Sequence, residues 1–121
     1  MSTFVHYSTA QNPTVKAQEE VKAGTFVEIA GDVDGRNPVV KPATAKAQVF
    51  GVPATDTKAD DYVMVYRAGH IVELEASGSI AAGDAVASAA SGKAAKAGEG
   101  DPVVGVAVSA AAKNRVIVAL K

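Results

Sequence analysis

The chain has 121 residues, a formal net charge of −1 and no cysteine. This length is typical of one domain, and a near-neutral charge without a basic stripe argues against binding to nucleic acid or to an acidic membrane surface. The lack of cysteine excludes disulfides, thiol catalysis and cysteine-ligated metals, and no apolar run approaches the ~20 residues that cross a bilayer.

The apolar residues are mostly small or β-branched. Alanine supplies 25 residues and valine 19, whereas leucine occurs only at Leu74 and Leu120. Leucine is favoured in the cores of helix bundles, while β-branched side chains fit a pleated sheet. The composition therefore predicts an all-β fold with small side chains in its core.

The first 13 residues are interpreted as an extended N-terminal arm, followed by a single β domain over residues 14–121. The arm is polar except for Phe4, Val5 and Tyr7, and it ends at a proline that keeps the preceding residue out of the helical region. Because aromatic side chains gain nothing in a free, solvated segment, we expect one of two arrangements. The arm packs on its own domain as an edge strand, or it docks on another subunit or partner.

Strand and turn signals alternate along the rest of the chain. Residues 14–21 suit either a strand or a helical turn, and residues 31–42, which include two glycines and two prolines, are predicted to form a loop. The alanine-rich stretch around residue 90 is interrupted by glycines too often for a good helix. Turn signals at roughly 8–12-residue spacing are typical of a sandwich or barrel. The remaining predicted strands are 25–30, 47–54, 62–67, 70–76, 85–90, 93–97, 103–108 and 115–120.

One predicted strand, residues 70–76, alternates with particular regularity. Ile71, Glu73 and Glu75 fall on one face, and Val72 and Leu74 fall on the other. This pattern is typical of a strand that is buried on one side.

A faint internal repeat relates the two halves of the chain. Ala23–Val27 resembles Ala82–Val86, and Val49–Ala54 resembles Val103–Val108 at an offset of 54 residues. The same offset, continued without a gap, aligns residues 62–66 with residues 116–120. Two copies of one strand-turn-strand unit therefore account for most of the sequence as scaffold.

The residues do not assemble a convincing catalytic or metal site. No serine lies in a G-x-S-x-G elbow, and neither His6 nor His70 has an evident nucleophile partner. Asp32, Asp34 and Asn37 offer oxygen ligands, but the loop lacks the glutamate that an EF-hand needs at its twelfth position, so a turn is the preferred interpretation. We expect no enzyme activity, no cofactor and no bound metal.

Tyr62 and Tyr66 are four residues apart and therefore share one face of a strand. Such a pair is able to form a stacking platform for bases or sugars. Without a basic groove around it, packing in the core or at a subunit interface is the preferred interpretation.

The order and spacing of these short motifs resemble those of small capsid decoration, or cement, proteins of tailed bacteriophages. An "A-G-x-x-V" strand is followed by "V-x-G-V-x-A", then by an alternating strand, a second "A-A-G-D-x-V", a "V-G-V-A-V" and a terminal "V-x-V-x-L". The resemblance covers residues 14–120. The matching segments are 23–27, 49–54, 69–74, 81–86, 104–108 and 116–120.

The resemblance implies a compact β-barrel or β-tulip domain that forms a homotrimer. Such proteins bind the major capsid protein on the outside of the mature head, between capsomers, and stabilise the head. An arm often adds a strand to the capsid surface, which makes Phe4, Val5 and Tyr7 the candidate capsid-binding residues and Tyr62 and Tyr66 a possible interface. The expected location is the outer capsid surface of a virion, after synthesis in the host cytoplasm, with no nucleic-acid or membrane partner.

Two alternatives remain at the level of sequence. The first is a sugar-binding or cell-surface-binding β module displayed on a virion, against which stand the absence of tryptophan and an aromatic content of 5%. The second is a small hydrolase that uses Asp32, Asp34 and His70, against which stands the absence of a paired base and nucleophile.

Overall fold

The computed structural model describes residues 13–121 of the chain. The described part is all-β, as the composition predicts, with one turn of 3₁₀ helix at Ala90–Gly92. The strands are β1 (Thr14–Ala17), β2 (Val27–Ile29), β3 (Val39–Pro42), β4 (Val49–Pro53), β5 (Tyr62–Tyr66), β6 (Ile71–Glu75), β7 (Ala85–Ser88), β8 (Ala94–Lys96), β9 (Gly105–Ala107) and β10 (Arg115–Leu120).

The first five strands close into a small barrel in the order β1-β3-β2-β4-β5. The β1–β3 pair is parallel and the other pairs are antiparallel. The side chains that fill this barrel are mostly valines, whose branched shape suits a narrow pleated interior. The buried members of this first core are Val15, Ala17, Val21, Val27, Val40, Val63 and Val65.

The last five strands form a second sheet in the order β6-β10-β9-β7-β8. A single parallel bridge between Ala76 and Ala94 connects its two outer strands. This sheet encloses a second, larger core. Its buried members are Phe26, Ala43, Val52, Leu74, Ala76, Ile80, Val86, Ala94, Ala107, Val116, Val118 and Leu120.

The two sheets have the same topology. β6 corresponds to β1, β7 to β2, β8 to β3, β9 to β4 and β10 to β5, and corresponding strands have corresponding neighbours. The backbone hydrogen bonds repeat as well. The Gln18 amide donates to the Val40 carbonyl at 2.8 Å, and the Ser77 amide donates to the Ala94 carbonyl at 2.7 Å. The predicted repeat is therefore confirmed, and it extends to a complete five-stranded unit.

The repeat offset is not constant, and the gap-free alignment of residues 62–66 with residues 116–120 was wrong. Val52 lies opposite Tyr66 in the first unit, and Val106 lies opposite Ala119 in the second, so the last strands are related by 53 residues. The connection before β10 is one residue shorter than the connection before β5. A slip of one residue exchanges the two faces of a strand, and the buried residues agree with the shorter offset: Val63, Val65, Val116 and Val118.

The prediction of a loop over residues 31–42 was wrong at its C-terminal end, where β3 lies between β1 and β2. Prolines are depleted in strands because they lack an amide donor. Proline keeps its carbonyl acceptor, and here the Pro38 carbonyl accepts a hydrogen bond from the Lys16 amide at 2.8 Å. Residues 14–21 form the strand β1 followed by bends, without a helical turn.

The junction between the two units is built on two neighbouring residues. Phe26 is fully buried in the second core, and Val27 is fully buried in the first. The Phe26 amide donates to the Gly92 carbonyl at 2.7 Å, and the Phe26 carbonyl accepts from the Ala43 amide at 3.0 Å. The start of β2 is thus held by both units at once.

A second set of contacts at the junction centres on Ser88, which is buried on β7. Its hydroxyl donates to the Thr44 carbonyl at 2.7 Å and accepts from the Ala47 amide at 3.0 Å, while its carbonyl accepts from the Lys46 amide at 2.9 Å. The β3–β4 connection is therefore fixed to the second unit through three hydrogen bonds.

We predict that Gly92→Ala destabilises the protein strongly. Gly92 has a φ of 73°, and a Cβ atom there would lie 2.5 Å from the Phe26 carbonyl oxygen. Left-handed strain and the clash together are expected to lower the free energy of unfolding by about 2–4 kcal/mol, measured by urea denaturation. Gly35→Ala is the matched control, because its φ is 65° and nothing lies within 4 Å; about 1 kcal/mol is expected. Equal losses in the two variants would contradict the role of the close approach.

Candidate interaction surface

The outer face of β5 carries the two tyrosines singled out from the sequence. Val63 and Val65 point into the first core, so Tyr62, Met64 and Tyr66 point outward. Tyr62 is 56% exposed and Met64 is 37% exposed. The spacing argument thus placed both tyrosines on one face, but their surroundings differ.

Tyr66 lies at the junction, where its side chain packs against the second core. Its ring centroid is 5.1 Å from that of His70, with the planes tilted by 49°. The Nδ1 atom of His70 lies 3.1 Å from the Arg67 carbonyl oxygen. These contacts give His70 a structural place in the β5–β6 turn, and they leave Tyr62 as the freely presented aromatic side chain of β5.

An ion pair lies beside Tyr62. Lys16 is opposite Tyr62 in the β1–β5 register, and its Nζ atom is 3.0 Å from a carboxylate oxygen of Asp34. The hydrogen bond to Asp34, reinforced by the attraction of its charge, raises the pKa of Lys16 above its ordinary value of 10.5. Lys16 therefore presents a paired cation at the edge of the tyrosine face.

The acidic loop, which the sequence analysis considered as a metal site and interpreted as a turn, folds as a tight turn. Asp34 and Asn37 exchange backbone hydrogen bonds of 2.9 and 3.0 Å, and the Asn37 side-chain amide donates to the Thr14 carbonyl at 3.0 Å. A carboxylate oxygen of Asp32 accepts from the Val33 amide at 2.8 Å. Within residues 13–121, no three or more histidine or acidic side chains are grouped so as to hold a metal ion.

The second unit exposes an apolar face that the sequence analysis did not single out. Ile71, Val108 and Ile117 are 66, 50 and 40% exposed, and they lie on neighbouring strands or strand ends, since the Val108 amide donates to the Ile117 carbonyl at 2.8 Å. The sequence signal for this face was Ile71, which lies on the same face of the predicted strand as Glu73 and Glu75. Ile117 also occupies the position in β10 that Met64 occupies in β5.

The arm residues Phe4, Val5 and Tyr7, and also His6, lie outside the described residues. Pro13, the last residue of the predicted arm, is buried, and its carbonyl accepts a hydrogen bond from the Val65 amide at 3.1 Å. The described part of the chain includes no helix with the length and apolarity that a membrane span requires.

These features define a small β-barrel protein whose otherwise polar outer faces carry exposed apolar side chains. Residues 6–121 match the family of phage cement proteins. The chain therefore belongs to the phage cement protein family, and the resemblance stated from the sequence is confirmed. The family assignment identifies a structural protein of the phage virion that is associated with the head.

A solved structure supports the fold. The head fiber gp8.5 N base of bacteriophage phi29 resembles the chain with a TM-score of 0.73 at 21% sequence identity, over 89% of this chain and 91% of that one. At this identity the likeness establishes a shared fold. No curated protein sequence matches the chain.

We predict that Asp34→Asn lowers the pKa of Lys16 toward 10.5, because the charged partner is lost. A raised folded-state pKa stabilises the fold at pH values below 10.5, and that stabilisation disappears as the pH rises through the folded-state value. The variant should therefore lose less stability between neutral and strongly alkaline pH. NMR titration of the Lys16 side chain measures the shift. Asp32→Asn is the control and should leave the Lys16 pKa unchanged; equal shifts in both would refute the assignment.

Proposed function

We propose that this protein binds the outer surface of the mature phage head between capsomers and stabilises the head. The observation that carries the proposal is the family match over residues 6–121, which covers both barrel units. The net charge of −1 fits a protein that binds other proteins rather than DNA. The direct partner in this proposal is the major capsid protein.

The proposed assembly is a homotrimer. Three copies present each capsid contact three times, so individually weak contacts reinforce one another through effective concentration. A trimer that binds only the assembled, mature lattice stabilises that lattice by linkage. Neither effect requires a deep pocket or a catalytic group, which agrees with the shallow, apolar faces of the two units.

The proposed capsid contact is the N-terminal arm, through Phe4, Val5 and Tyr7. An extended segment that adds to a sheet edge supplies main-chain hydrogen bonds, and its alternate side chains fill pockets. In such a strand Phe4 would lie on one face and Val5 and Tyr7 on the other, so apolar side chains are available on both faces. Tyr62 is proposed to contribute to an interface between copies, whereas Tyr66 supports that face from the junction.

The first prediction for this function concerns binding to heads. Purified protein should co-sediment saturably, and at a fixed ratio, with mature undecorated heads built from the cognate capsid protein, and it should raise their thermal stability. Deletion of residues 1–12 should leave the barrels folded, because the Pro13–Val65 hydrogen bond remains. The same deletion should weaken head binding at least about tenfold, as loss of an apolar anchor does.

Circular dichroism and urea denaturation of the truncated protein provide the control for folding. An unfolded truncated protein would show that the arm is part of the core. Absence of binding to mature heads by the full chain would remove the main support for the cement function.

The second prediction concerns the trimer. Tyr62→Ser should weaken self-association at least about tenfold, because an exposed aromatic at an interface contributes disproportionately. Sedimentation equilibrium measures the effect, and the free energy of unfolding should change by no more than about 0.5 kcal/mol. Val103→Ser is the matched control, since Val103 is also exposed, at 42%, but precedes β9 in the second unit. If both variants associate like the parent chain, Tyr62 is not an interface residue.

A further inference from the structure

A groove of about 390 Å³ separates the two units on one side of the molecule. One wall is the edge of β6 from His70 to Glu73, and the other is formed by Val52–Ala54 and Tyr66. Gly24 lies at one end. We call this the inter-barrel groove. In its far wall Val52 and Pro53 are almost fully buried, so Ala54 and Tyr66, which are partly exposed, supply its accessible apolar surface.

The β6 edge that lines the groove is unpaired along most of its length in the described part of the chain. The Ala76 amide donates to the Asn114 carbonyl and the Leu120 amide donates to the His70 carbonyl, so even-numbered residues bond to β10. Odd-numbered residues therefore direct their amides and carbonyls into the groove. The Glu75 amide confirms this direction, because it donates to the Gly24 carbonyl at 2.8 Å.

Ile71 and Glu73 thus present two amides and two carbonyls to the groove, without a backbone partner among residues 13–121. The first unit treats the equivalent edge differently. There β1 pairs with β3, and the Asn37 side chain caps the Thr14 carbonyl. Open strand edges beside apolar surface are aggregation hazards that proteins normally cover.

The described chain begins next to this groove. Pro13 is hydrogen-bonded to Val65, the neighbour of Tyr66, and the antiparallel β1–β5 register points the N-terminal end of β1 toward Tyr66. Twelve further residues precede Pro13. An extended segment of that length reaches at most ~40 Å, whereas the three-residue β6 edge is only ~10 Å long.

We propose that residues 1–12 of the same chain add as a short strand to the free edge of β6 in the unattached protein. The arm supplies main-chain partners for Ile71 and Glu73, and its apolar side chains face Ala54 and Tyr66. Attachment to the same chain gives the arm a high effective concentration at the groove, which favours it over a segment from another molecule.

This inference rests in part on the proposed function, because it gives the arm two mutually exclusive positions. In the unattached protein the arm covers the β6 edge, and on the mature head the same apolar side chains bind the capsid. The groove then keeps Phe4, Val5 and Tyr7 from promoting association before heads have matured.

Hydrogen exchange measured by NMR tests the first position without using heads. In the full chain, the Ile71 and Glu73 amides should exchange at least about tenfold more slowly than in the chain lacking residues 1–12. The Glu75 amide is the internal control, because its bond to Gly24 does not depend on the arm. The protection should be independent of protein concentration. Rapid exchange of both amides in the full chain overturns the proposal, as does protection that survives the deletion.

Introduced cysteines test the second consequence, since the chain has none of its own. Ile71→Cys, combined in turn with T3C, H6C or S8C, arm positions outside the proposed capsid contact, should give an intramolecular disulfide in at least one pair, whereas Val103→Cys in the same combinations should not. The oxidised protein should bind heads at least about tenfold more weakly, with recovery on reduction. Disulfides only between molecules, concentration-dependent protection, or full head binding by the locked arm would each overturn the proposal. Failure of the reduced protein to bind heads would instead count against the cement function.

Discussion

The structure depends on the placement of two consecutive side chains in two different cores. In a strand, neighbouring side chains point to opposite faces, and β2 begins where one of those faces meets the second unit. Phe26 fills the second core and Val27 fills the first. Because Gly92 lets its backbone approach Phe26 closely, the two units are joined by backbone hydrogen bonds as well as by the Phe26 side chain. The second core is incomplete without the first unit, which supplies Phe26, Ala43 and Val52, whereas the first core is built from first-unit residues.

Duplication of one five-stranded unit also explains how so short a chain limits its exposed strand edges. In the first unit, the parallel β1–β3 pair closes the barrel and leaves no open edge. In the second unit, the segment around Gly24 and Phe26 takes part of the space between β6 and β8, bonding to Glu75 on one side and to Gly92 on the other. The same insertion that joins the units therefore keeps β6 and β8 apart except at Ala76, and opens the inter-barrel groove.

Much of this architecture followed from the sequence, and the exceptions have physical reasons. The alanine and valine content predicted the all-β class, and the alternation through Ile71, Glu73 and Glu75 predicted the half-buried strand β6. The similarity of residues 49–54 to residues 103–108 predicted the duplication, and the structure shows that Gly51 and Gly105 in those segments both approach a neighbouring carbonyl closely. Pro42 concealed β3, because proline is common in loops and also occurs at strand positions whose amide makes no hydrogen bond.

The candidate interaction surface was harder to predict from the sequence than the fold was. Spacing alone put Tyr62 and Tyr66 on one face, but only tertiary packing distinguishes the exposed ring from the one held beside His70. The exposed position of Ile117 depends on a register one residue different from the repeat in the sequence. Exposure is decided by pairing between distant segments, which local patterns do not encode.

The same composition that predicts the all-β fold also limits how such a protein is able to bind a partner. Small alanine and valine side chains permit a narrow barrel and a second five-stranded unit within 121 residues, but they leave few large side chains on the surface to anchor a partner. The exposed apolar residues form small groups, such as Ile71, Val108 and Ile117, rather than one broad patch. Affinity for a head must then come from repetition of weak contacts across a lattice. Under the proposed function, repeated weak contacts favour the assembled surface over its separate subunits, which is the difference in affinity that stabilisation of an assembled head requires.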